Sequence, residues 1–328
     1  MNSQKLQNNK LKTAVLFLVF NKPDTTRQVF EAIRQAKPPR LYVACDGARE
    51  GNNKDRQNII EVKKITSEVN WPCKIKIRFN KKNLGCKYAV SSAISWFFKH
   101  EEMGIILEDD CLPSKSFFYF CDDLLNKYKN EHRIMHIAGM TYVEKRDNKE
   151  NYSYHFCKVG GIWGWASWRR AWEKYELEMN SYKQAIQENI FDHIFYRKPQ
   201  MNFFFKNMFK HAFKNNYTWD YQWTFTKIIN NSINIMPAKN LIKNIGFGNK
   251  NATHTTNKEK KYSNMKIKQL NFPLRHPKFI VVDENFNSEN FMYVYSGGVK
   301  DKLIRLLKFI LPKFIIKIIM NKRNETIY

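Results

Sequence analysis

Glu108, Asp109 and Asp110 stand together directly after the apolar residues 104–107, in a chain otherwise rich in bases. Three adjacent carboxylates repel one another unless a cation or hydrogen bonds compensate. As a chain leaves a strand, neighbouring side chains point to different sides. One carboxylate can then bind a divalent cation while the others reach ribose or sugar hydroxyls. A solvated acidic loop is the plain alternative. Asp220 is the other acid of interest, the sole Asp or Glu between Asp192 and Glu259. It suits either a catalytic base or the N-cap of a helix running through Tyr221-Gln222-Trp223.

The elements that must hold these groups follow from periodicity. Residues 14–20 read as an apolar strand closed by Asn21-Lys22-Pro23-Asp24, and a helix capped by Asp24 or Thr25 runs on to Ala36 before Pro38-Pro39. Residues 41–45 form a second strand ending in Asp46-Gly47, and 54–69 are loosely helical. Residues 74–79 alternate as a third strand, 87–98 are helical, and 103–107 form a fourth strand that runs into the acids. Strands separated by helices predict an α/β fold with a mainly parallel central sheet flanked by helices. Ligands in such sheets gather at the carboxyl ends of strands. Those ends carry Asn21-Lys22, Asp46-Gly47 and residues 108–110.

Other chemistries lack their motifs. There is no GxxxxGK[ST], no GxGxxG after the first strand, and neither HExxH nor GxSxG. Six scattered cysteines without CxxC spacing read as thiols in a reducing compartment. His136 and His155 sit in strand-like contexts and read as core. Trp163, Trp165, Trp168 and Trp172 read as core packing at helical spacing, with one available as an acceptor platform.

In order along residues 13–256 come Asn21-Lys22-Pro23-Asp24, Asp46, Glu108-Asp109-Asp110 with Pro113 and Phe117-Phe118, Gly161-Ile162-Trp163-Gly164-Trp165, Trp219-Asp220, Gly246-Phe247-Gly248 and Thr253-His254. In this set the chain resembles the nucleotide-sugar glycosyltransferases of the GT-A fold, especially the bacterial family 2-like group. Its motif order is similar to that of N-acetylglucosaminyltransferase I. The resemblance implies that Asp110 ligates Mn²⁺ or Mg²⁺ held by the donor diphosphate. It further implies that Asp109 contacts ribose or a metal-bound water, and that Glu108 contacts the transferred sugar. Asp46 would bind the base, Asn21 and Lys22 would border the uridine or phosphate, His254 would close over the donor, and Asp220 would be the catalytic base. Lys22 stands where arginine is usual, offering a point charge instead of a bidentate fork.

The implied reaction is inverting transfer of a sugar, from UDP in the first instance, to a hydroxyl of a surface-glycan or lipid-linked acceptor. Its charge demands agree with the residues. The departing diphosphate gains negative charge that a divalent cation and nearby bases stabilise, while a carboxylate takes the acceptor proton.

The 328 residues include 56 Lys and Arg against 30 Asp and Glu, a net charge of +26. Net charge is +9 over residues 1–195 and +17 over 196–328. Within the latter, residues 302–317 place Lys302, Arg305, Lys308, Lys313 and Lys317 on one half of a helical wheel and apolar residues on the rest, with Pro312 as a kink. That pattern suits an anionic membrane surface, with a terminal helix packed on its own domain as the alternative. The apolar run near the N-terminus is short and closed by turn residues, so it reads as a strand and not a signal peptide. The expected location is cytoplasmic, peripheral on the inner face of the cell membrane.

The expected organisation is a polar tail over 1–12, a nucleotide-sugar-binding part over 13–140 and an acceptor and catalytic part of the same domain over 141–290. A basic amphipathic segment over 291–328 completes it. Two other classes compete: a basic nucleic-acid-binding protein, which lacks a recognisable motif and makes nucleic acid the less favoured partner, and a membrane-active protein working through its cationic C-terminal helix.

Overall fold

The computed structural model describes residues 10–144, 152–215, 217–247 and 265–295. At its centre β1 (Ala14–Val19) pairs in parallel with β2 (Arg40–Cys45) and with β4 (Met103–Glu108), and β2 pairs in parallel with β3 (Lys74–Phe79). The connecting helices are α1 (Pro23–Ala36), α2 (Asn53–Thr66) and α3 (Gly85–His100). Every residue of β1 is buried because helices cover both of its faces. Val15, Phe17 and Val19 pack with Val29, Phe30 and Ile33 of α1, while Ala14, Leu16 and Leu18 join Ile94 and Phe97 of α3. Each of these side chains larger than alanine contributes roughly 1.5–3 kcal/mol by leaving water.

Beyond β4 come β5 (Cys111–Pro113), α4 (Lys115–Lys127), β6 (Ile134–Ala138), β7 (Tyr154–Cys157), β8 (Trp165–Trp168), and the short helices α5 (Arg169–Trp172), α6 (Tyr182–Gln187) and α7 (Ile190–Ile194). Then follow α8 (Pro199–Asn215), α9 (Asp220–Ile229), β9 (Ile233–Pro237), β10 (Ile242–Asn244) and α10 (Glu284–Tyr295). The main sheet has eight strands in the order β3-β2-β1-β4-β8-β6-β9-β7. The pairs from β3 to β4 and the β6–β9 pair are parallel; β4–β8, β8–β6 and β9–β7 are antiparallel. This is the mostly parallel, helix-flanked α/β sheet expected of a GT-A-type chain. Strands from both sides of residue 140 share it. Between β8 and β9 the aromatic-rich second half is helical, its core built on Phe191, Phe205, Phe209 and Phe225, while β8, β9 and β10 add strands to it.

Two local expectations change. α1 starts at Pro23, with Lys22 and not Asp24 or Thr25 as N-cap. A proline at the first helical position loses nothing, since its missing N–H would have had no intrahelical partner. Trp165 and Trp168 lie on strand β8, not on a helix. The basic amphipathic stretch over 302–317 lies outside the described residues, as does the 1–9 part of the polar tail. Among the described residues no helix is long and apolar enough to cross a membrane.

Candidate active site

Winding runs from β1 to β2 to β3 and then returns to β4 on the other side of β1. The crevice opened by such a reversal lies beyond the carboxyl ends of the two central strands, here β1 and β4. Register sets Leu18 of β1 beside Glu108 of β4. The backbone N–H of Phe20 donates to Asp109 Oδ2 at 3.0 Å, tying the exit of β1 to the acidic run. Lys22, two residues further, lies with Nζ 2.8 Å from Asp110 Oδ2 and 3.6 Å from Asp109 Oδ1.

Burial alone would weaken the Lys22 ammonium, but Asp109 and then Asp110 outweigh it and raise its pKa. Burial, joined by mutual repulsion among the acids, drives Glu108 and Asp109 the other way, towards holding protons. One lysine thus serves three carboxylates, and the cluster keeps a deficit of positive charge.

Asp110 receives a further set of neighbours from far along the chain. β5 and β10 form a two-stranded antiparallel ladder that opposes Asn244 to Cys111. Its continuation donates the Ile245 N–H to the Asp110 carbonyl at 2.8 Å and sets Asn244 Nδ2 3.5 Å from Asp110 Oδ1. Gly246 follows, its N–H bonded to Asn244 Oδ1 at 2.8 Å. A Cβ there would meet Asp110 Oδ2 at 2.7 Å, so any larger residue would have to displace the Asp110 carboxylate.

Asp46 at the end of β2 is engaged by protein donors. Its carboxylate accepts from the N–H groups of Gly47, Leu84 and Gly85 and from the side-chain amides of Asn80 and Asn83. It therefore organises loop 80–85 and the start of α3. Asn21 is likewise anchored: its Nδ2 donates to Asp55 at 2.7 Å, and Asn58 donates to its carbonyl at 2.9 Å. Arg49 completes this cluster by a two-point contact with buried Asp55, at 2.6 and 2.8 Å. Arg49, Asn80, Asn83 and Asn244 were not anticipated. Only their positions at or just beyond strand ends hinted at them.

Asp220 opens α9 as its first helical residue; the N-cap is Trp219. The side chain is half-buried, accepts a short hydrogen bond from the Thr218 hydroxyl, and is near enough to Glu108 to favour its protonated form. Trp219 and Trp223 stack into a cage with Trp165 and Trp172. There Trp223 Nε1 donates to His136 Nδ1 at 3.2 Å, which leaves the imidazole proton on Nε2 to donate to the Gly161 carbonyl at 2.9 Å. Buried Lys227 donates to the adjacent Gly160 carbonyl at 3.3 Å. The Gly160-Gly161 turn is thus held from beneath by two side chains. His254 lies outside the described residues.

Among the described residues no three His, Cys, Asp or Glu side chains form a closed metal cage. The donor set nevertheless suits a hard cation. Asp109 and Asp110 offer carboxylate oxygens at a crevice with uncompensated negative charge. Mg²⁺ and similar ions are commonly held by one or two carboxylates, with phosphates and water completing the shell.

No protein-family model and no curated protein matches the sequence. Among solved structures, a UDP-glucose pyrophosphorylase complexed with UDP-glucose is 12% identical, with a TM-score of 0.27 over 46% of this chain and 64% of that one. The chain therefore spans less than two thirds of that protein. HddC from Yersinia pseudotuberculosis is 10% identical, TM-score 0.33, over 50% of this chain and 80% of that one. A 4-diphosphocytidyl-2C-methyl-D-erythritol synthase from Anaerococcus prevotii is 10% identical, TM-score 0.32, over 50% and 76%. Likenesses this partial carry no argument; the fold stands on the sheet itself.

Proposed function

We propose that the protein is an inverting glycosyltransferase that moves a sugar from a nucleoside diphosphate, UDP first among candidates, to a hydroxyl of a glycan or lipid-linked acceptor. The observation that carries this reading is the meeting of Lys22 with Asp109 and Asp110 at the winding reversal, with Asp220 in electrostatic range of the adjacent Glu108. Asp110 would hold Mn²⁺ or Mg²⁺ through a carboxylate oxygen, with Asp109 directed at a metal-bound water or ribose. Bound there, the cation supplies charge stabilisation to the departing diphosphate. Lys22 adds a fixed positive charge at the same point. Glu108, the third acid of the cluster, would contact a hydroxyl of the transferred sugar. Asp220, aimed by Thr218 and the tryptophan cage, would take the acceptor proton as its oxygen attacks the anomeric carbon.

Release of UDP from a panel of UDP-sugars, with and without Mn²⁺, tests the reading. Metal-dependent release that falls at least about 100-fold in both Asp110→Ala and Asp220→Ala is expected. Unchanged turnover in both variants would sink it. The cytoplasmic, membrane-peripheral setting and the contact of residues 302–317 with anionic lipid belong to this proposal, supported by the charge pattern alone.

A further inference from the structure

Helix α8 is amphipathic in an uncommon way. Its inner face is Met201, Phe205, Phe209 and Ala212, all buried. The opposite stripe, at helical spacing, is Phe203, Asn207, Lys210 and Lys214, all exposed, with Phe203 at 73%. Tyr196, just before the helix, is 70% exposed, and Tyr217, just after it, 54%. The Arg197 guanidinium lies 5.3 Å from the Tyr196 ring. Lys198 and Lys206 at the margins are paired with Glu284 and Asp192. Among the described residues Arg197, Lys210 and Lys214 have no carboxylate within ion-pair distance.

Single exposed apolar residues are ordinary on protein surfaces. An exposed ring on the helix face beside Lys210 and Lys214, with an exposed tyrosine at each end of the helix and Arg197 beside one of them, is the pattern of a surface that meets lipid headgroups. We infer that the outer face of α8 rests on an anionic membrane surface, with its rings at headgroup depth and Arg197, Lys210 and Lys214 on lipid phosphates.

Continuity of the chain supports this occupant. α10 packs on α8, with Phe291 5.7 Å from Phe204 and 5.9 Å from Phe205. Beyond Tyr295, six residues precede Lys302, where the basic amphipathic pattern begins. Even fully extended, that stretch reaches about 24 Å, roughly the length of α8. The sequence segment that carries the basic amphipathic pattern is therefore tethered close to the α8–α10 pair by chain length alone. The inference does not rest on sugar transfer, since none of its residues belongs to the acidic crevice.

Partitioning of the full chain onto phosphatidylcholine vesicles, with and without phosphatidylglycerol, tests it. Each basic residue at an anionic surface is worth about fivefold in partitioning, so Lys210→Gln with Lys214→Gln should weaken binding to the anionic vesicles about 30-fold. Phe203→Ser should weaken it further. A control double variant of equal charge, Lys64→Gln with Lys74→Gln, alters exposed residues near the β3 edge of the sheet and should cost less than about threefold. All five positions are exposed, and thermal melting confirms folding. If the α8 variant binds like the parent, or both double variants weaken alike, the face is not the contact and the inference is overturned.

Discussion

Nζ of Lys22 lies 2.8 Å from Oδ2 of Asp110, although 88 residues separate them. The lysine caps the helix after one central strand, and the acid follows the strand beside it. Removing the ammonium leaves the acids without that compensation. Lys22→Met should lower kcat/KM for UDP release by about 100-fold or more, and Lys22→Arg should recover part of the loss. Equal activity in Lys22→Met and the parent would remove Lys22 from the site.

Gly246 is constrained by space, not by backbone angle. A methyl group there would press on Asp110 Oδ2. Gly246→Ala should lower metal-dependent turnover more than about tenfold while shifting stability by no more than about 1 kcal/mol, because the loop can yield. A titration with Mn²⁺ reads the effect as weaker metal activation.

Asp46 offers a clean separation of two roles. Because five protein donors already occupy its carboxylate, Asp46→Ala should release loop 80–85 and cost about 3 kcal/mol of stability, alongside a raised donor KM. A raised KM with an unchanged melting temperature would instead mark direct contact with the nucleotide.

Burial lowers the pKa of Lys227 to about 7, from an ordinary value of 10.5. Between those values the unfolded chain binds the proton that the folded chain releases, so stability contributed at this position rises with pH. Below pH 7 both states are charged and burial of the ammonium is fully penalised. Lys227→Met should therefore be most stabilising, relative to the parent, below pH 7. The advantage should shrink by about 1.4 kcal/mol per unit towards pH 10. Denaturant melts of both proteins at pH 7, 8 and 9 check the slope; a constant difference would place the titration elsewhere.

The first four strands and their helices were legible because each is a local pattern. A strand buried on both faces reads as a short apolar run, and an amphipathic helix repeats its apolar residues every three or four positions. Parallel pairing then sets all their carboxyl ends on one edge, which brings Asn21, Lys22, Asp46 and residues 108–110 to the same side of the sheet from topology alone. The tryptophans show where such patterns fail. Positions 165, 168 and 172 fit a helical repeat as well as a strand followed by a turn, and bulky rings bury in either.

What the sequence determined by itself was the α/β order of elements, the acidic run at a strand's end, and the concentration of positive charge after residue 195. Tertiary structure decided which partners those acids have. The β5–β10 ladder joins residues about 130 apart and delivers Asn244 and Gly246 to Asp110. Asp46 is saturated by a loop that returns from β3, and His136 and Lys227 converge on Gly160-Gly161 from separate elements. Local propensity carries no record of such pairings, because the free energy that selects them is released only when distant surfaces leave water together.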